Sequence, residues 1–153
     1  MKKKILIILF LIVGTVARGQ AVVSEESLKA AFIFRFLSFI EWSDETDRYF
    51  ICIPDDEAFR ASVEESLRSK AVNNRDVVVV AGADHCHILI SDNVPQTDSV
   101  FTIGPLAKGA LLEFRIVDNK LKFAVSLENI KKSHLKISSQ LLKLAILENG
   151  HRS

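Results

Sequence analysis

The sequence predicts an α/β domain: a mixed sheet of about six strands, parallel in its first half, then an antiparallel hairpin, with helices on both faces. Three observations carry this. Four short runs, Tyr49 to Ile53, Val77 to Val80, Cys86 to Ile90 and Val100 to Ile103, are apolar almost throughout, as in strands covered on both faces. Helix and turn signals separate them, which favours parallel pairing. Two later β-rich runs, Leu111 to Val117 and Leu121 to Val125, flank the tight polar turn Asp118-Asn119-Lys120, the pattern of a hairpin.

The chain in order begins with its most apolar stretch. Leu28 to Trp42 holds four phenylalanines and a tryptophan. Ser24 supplies a helix cap, and Glu25 and Glu26 supply first-turn acids. Leu28, Phe32, Phe36, Phe39 and Ile40 follow helical spacing, and Ile33 and Leu37 widen the stripe. Arg35, Ser38 and Glu41 mark the opposite, polar sector, and Phe34 falls inside it. The stretch is too short and too charged to span a bilayer. Ser43 to Arg48 is a polar turn. Pro54 and Asp55 end the first strand. Asp56 to Lys70 reads as a helix with Phe59, Val63 and Leu67 on one face and Asp55 or Asp56 as its cap. Asn73-Asn74 marks a turn, and Ser91-Asp92 and Gly104-Pro105 end the third and fourth strands. After the hairpin, Leu127 to Lys132 suits a turn or two of helix. Ile137 to Leu147 is the last helix, with Leu141, Leu144 and Ala145 inward and Asn149-Gly150 as its stop.

Residues 1–19 read as a secretory signal: Lys2 to Lys4, the apolar run Ile5 to Val13, then Ala17 and Gly19 ahead of a cleavage before Gln20. A short membrane anchor is the other reading of that run. Export of a bacterial protein to the periplasm is the expectation, with residues 20–153 as a single domain. The signal carries Lys2, Lys3, Lys4 and Arg18 and no acid, so a formal charge of +1 for the whole chain becomes −3 for the remainder. A mildly acidic surface without a basic run argues against nucleic acid as a partner. Cys52 and Cys86 form an even pair, which in an oxidising compartment suggests one disulfide. Two buried free thiols are the alternative. A bridge would restrict the unfolded chain by ~4 kcal/mol in the loop-entropy account.

A catalytic set is not legible. There is no Gly-x-Ser-x-Gly, no His-Glu-x-x-His and no glycine loop for phosphate. No cofactor is expected. Asp84-His85-Cys86-His87 is the one stretch resembling a metal clip, but two histidines need further ligands, and strand entry is the simpler reading. Strand ends are where α/β sites gather, which makes Asp55, Ser91 and Gly104 candidate ligand-facing residues.

Several blocks together resemble the YfiR family of small periplasmic proteins. They are Leu28-Lys-Ala-Ala-Phe-Ile-Phe-Arg-Phe with Phe39-Ile40-Glu41-Trp42; Phe50-Ile51-Cys52-Ile53; Cys86-His87-Ile88-Leu89-Ile90-Ser91; Thr102-Ile103-Gly104; Leu121-Lys-Phe-Ala-Val; and Leu135-Lys-Ile-Ser-Ser-Gln-Leu-Leu-Lys-Leu-Ala145. Pro105 stands where the family often has an acid, and His134 where it often has glycine. The resemblance implies an α/β fold, a homodimer and no enzymatic activity. It implies a regulator that binds the periplasmic part of an inner-membrane diguanylate cyclase and holds it inactive, lowering cyclic di-GMP and biofilm formation. A histidine kinase is another membrane sensor such a protein can serve. Disulfides support folding and regulation in such members, in keeping with Cys52 and Cys86. Phe34, Arg35 and Ser38 are then candidate interface residues, facing a second protomer or the sensor. A small-molecule binding module for a membrane sensor is the alternative function.

Overall fold

A computed structural model describes residues 23–149. The expected signal segment and the Gly150 stop lie outside the described residues. An eight-stranded mixed sheet forms the centre, in the order β10-β8-β7-β6-β5-β2-β4-β3. Its parallel strands are β2 (Arg48–Cys52), β4 (Arg75–Val80), β5 (Ile88–Ile90) and β6 (Phe101–Ile103), and β6 pairs parallel with β7 (Leu112–Val117). The hairpin of β7 and β8 (Lys120–Ser126) is antiparallel, turning at Asp118 and Asn119, both left-handed. A separate ribbon pairs β1 (Ile40–Glu41) with β9 (Lys136–Ile137).

Two strands beyond the expected number account for the wider sheet. Ala71–Val72 (β3) folds back on β4 through Asn73 and Asn74, which both adopt the left-handed conformation that such a two-residue turn demands. Ile146–Glu148 (β10) pairs parallel with β8. The last helix, α4 (Ser139–Leu144), is therefore shorter than the helical spacing of Ile137 to Leu147 suggests, and Leu144 is exposed rather than inward. Edge pairing supplies backbone partners that the spacing pattern cannot reveal.

α1 spans Glu25–Phe39, capped by Ser24, whose hydroxyl accepts the Ser27 N–H. It stops three residues before Trp42 because Ile40 and Glu41 leave the helix to join β9. The Trp42 indole N–H donates to the Leu37 carbonyl at 2.9 Å, closing the open helix end. The buried face is Ala30, Ile33, Phe36 and Leu37, whereas Leu28 is exposed. Phe36 lies within 5.1–6.2 Å of the rings of Phe101, Phe114 and Phe123. These are aromatic-pair distances. α2 (Glu57–Leu67) buries Val63 and Leu67 in the same cluster, and the Asp56 carboxylate caps it.

Both long helices thus serve one face of the sheet. The reverse face holds a smaller cluster of Cys52, Cys86 and Leu89 under Val80 and Val100. Short α3 (Leu127–Lys132) follows β8, and its Asn129 amide ties to the carbonyls of Leu106 and Ala110 in the β6–β7 connection. Among the described residues no helix is long and apolar enough to cross a membrane.

Candidate functional site

Three features have functional geometry. The first is a cleft of about 650 Å³ at the carboxyl ends of β2, β5 and β6. It brings together the strand-end residues Asp55, Ser91 and Gly104. The Ser91 hydroxyl donates to Asp55 Oδ2 at 2.5 Å and accepts the Asn93 N–H at 3.0 Å. Gly104 is required by close approach: a Cβ there would stand 2.2 Å from the Ser91 carbonyl oxygen. The sequence leaves the cap of α2 open between Asp55 and Asp56, and the structure assigns it to one of them. Asp56 caps α2, and Asp55 holds Ser91.

The second is the outer surface of α1. Arg35 and Ser38 are exposed, and the Ser38 hydroxyl donates to the Arg35 carbonyl. Phe34 differs: it is half-buried against the main core, with the Lys70 ammonium 5.4 Å from its ring centre. Of the three candidate contact residues, Arg35 and Ser38 are exposed, and Phe34 is half-buried beneath the Lys70 ammonium.

The third centres on the disulfide. Cys52 in β2 is bonded to Cys86, with Cα atoms 5.8 Å apart, and no described cysteine is free. Next to Cys86, the buried His87 ring stands edge-on to Trp42 and Tyr49. Its Nδ1 accepts the Phe50 N–H at 2.9 Å, which leaves the ring proton on Nε2, 2.7 Å from Asp44 Oδ2. The Arg75 guanidinium donates to Asp44 and to the Thr46 hydroxyl and lies over the Tyr49 ring at 4.0 Å. Burial pushes the Asp44 carboxyl up, but hydrogen bonds from Thr46, Arg75 and His87 outweigh it and hold the carboxyl below its ordinary value.

The stretch Asp84 to His87 leads into β5, the simpler of the two readings that the sequence offers, but the network around His87 has no signal in the sequence. His85 is exposed and left-handed, so it does not share an extended face with His87. Among the described residues no group of three or more His, Cys, Asp or Glu side chains is arranged to hold a metal ion. Both ring nitrogens of His87 are engaged, which leaves neither to act as a general base. Asp44 and Arg75 lay hidden because their partners are 43 and 12 residues away.

A disulfide-braced α/β domain, with a strand-end cleft and an open polar helix face, has the makings of a binding protein. The YfiR/HmsC-like family model matches residues 26–146, from the first turn of α1 to the first residue of β10, and the chain belongs to that family. It is a regulatory, periplasmic family whose members engage membrane signalling proteins. No curated protein matches the chain.

Proposed function

We propose that this protein is exported through a cleaved signal at residues 1–19, and that its single domain, residues 20–153, works as a non-enzymatic periplasmic repressor. It binds the periplasmic part of an inner-membrane diguanylate cyclase, as a homodimer, and holds cyclic di-GMP synthesis down. The family match over residues 26–146 carries this reading. The exposed pair Arg35 and Ser38 on α1 supplies a contact surface, with Phe34 at its margin.

Crosslinking in the native envelope tests it. The captured protein is expected to be a membrane cyclase, and deletion of the repressor should raise cyclic di-GMP. Arg35→Glu should abolish capture without loss of the disulfide or of thermal stability. Capture of a histidine kinase instead would move the protein to another signalling output. No captured sensor, with unaltered cyclic di-GMP on deletion, would sink the reading.

The strand-end cleft favours a second reading, a small-molecule module reporting to a membrane sensor. The two are compatible, because the cleft and the Arg35–Ser38 surface have no residue in common.

A further inference from the structure

We infer that the strand-end cleft binds a small organic cation, an ammonium group carried on an apolar or aromatic body. This deepens the reading of the cleft as a small-molecule site and is independent of the protein partner.

Position comes first. β4 lies on one side of β2 and β5 on the other, so the sheet reverses its direction of growth between β2 and β5. In open α/β sheets, the crevice outside the strand ends at such a reversal is where ligands bind. Ile53 and Asp55, just after β2, form one wall of the cleft, and Ile90 and Ser91 form the other. The interior surface includes Ile103 and the rings of Phe59 and Phe114, so the site can receive an apolar body.

The chain itself shows which head group suits this space. Lys29 reaches in from α1, and its ammonium stands 5.8 Å from the ring centres of both Phe59 and Phe114. Glu25 Oε1 lies 2.9 Å from the same nitrogen. Two aromatic faces and a carboxylate around one ammonium are the elements of a cation cage. Lys29 is thus a tethered stand-in for the ligand head group.

Charge decides against an anion. Glu25, Glu26, Asp55, Asp56, Asp92 and Glu113 border the cleft, against the ammonium of Lys29 and the Arg115 guanidinium that pairs with Glu113. The amino ends of α1 and α2 also meet there, but their own acids, Glu25, Glu26 and Asp56, offset the helix dipoles. Glu26 and Asp92 have no side-chain partner among the described residues, so they are available to a second cation.

The test is a nuclear magnetic resonance titration of the exported protein with three matched probes: 2-phenylethylamine, 2-phenylethanol and phenylacetate. The amine should give saturable shifts at Lys29, Asp55, Ser91 and Asp92, bind at least about fivefold tighter than the alcohol, and weaken with salt. Phenylacetate should bind most weakly. The double variant Glu26→Gln, Asp92→Asn should weaken the amine about tenfold and leave the alcohol unchanged. Lys29→Met removes the resident ammonium and should tighten the amine by roughly fivefold, a gain that misfolding cannot imitate. Equal binding of amine and alcohol would overturn the cation assignment while leaving the cleft a small-molecule site. Binding of none of the three, or amine shifts confined to other surfaces, would remove both.

Discussion

His87 and Asp44 are joined by a 2.7 Å hydrogen bond that ties the entry to β5 to the turn before its neighbour β2. Asp44 sits in the polar turn ahead of β2, and His87 directly precedes β5. The carboxyl of Asp44 is held below its ordinary value once folded. A carboxyl with a depressed folded value stabilises the fold above its unfolded value, near pH 4, and that contribution is lost as pH falls through the folded value. Thermal melts across pH should therefore show the natural protein more stable than Asp44→Asn above about pH 4, with the gap closing in acid. A gap that is constant with pH would contradict this.

The other ring nitrogen of His87 gives a separate prediction. His87→Phe keeps a ring between Trp42 and Tyr49 but leaves the Phe50 N–H without its acceptor. Orphaning a part-buried amide costs about 1–2 kcal/mol, so stability should fall by that order. Hydrogen exchange at the Phe50 amide should accelerate, whereas loss of packing alone would spread the effect over the whole strand.

The disulfide closes a sequence separation of 34 residues. Thiol labelling of the oxidised protein is expected to find no free cysteine. Replacing both cysteines with alanine should cost roughly 3–4 kcal/mol if loop entropy governs. Full labelling before reduction would refute the bridge in solution.

Gly104→Ala forces a methyl against the Ser91 carbonyl oxygen, a backbone atom that cannot turn aside. Overpacking of this kind costs about 2 kcal/mol. For a domain of this size the melting temperature should fall by about 7 °C. The amide signals of Asp55, Ser91 and Asn93 should move with it, because the Ser91 hydrogen bonds must adjust.

Local chemistry made much of this legible from the sequence. Ser24, Glu25 and Glu26 mark a helix start whatever follows, and Asp118-Asn119 marks a hairpin between two β-rich runs. The cleft residues Asp55, Ser91 and Gly104 were accessible because sites follow strand ends. What stayed hidden depends on distant partners. Ile40 and Glu41 continue a helical pattern until Lys136 and Ile137 pair with them, and Ile146 and Leu147 look helical until β8 offers an edge. Arg75 lies between the Asn73-Asn74 turn and the strand expected from Val77 and carries no signal of its own, yet it is the cation that joins Asp44, Thr46 and Tyr49.

The place of α1 has a consequence for the order in which the chain can fold. Its central side chain, Phe36, rests on Phe101, Phe114 and Phe123, and its exit strand pairs with Lys136–Ile137. The first helix to emerge thus has no home until most of the sequence is present. Such long-range closure slows folding. Under the export proposed above, in which the chain threads through a membrane from its amino end, this delay is useful. The leading segment stays loose while the remainder follows, and the domain closes only once its last third has arrived.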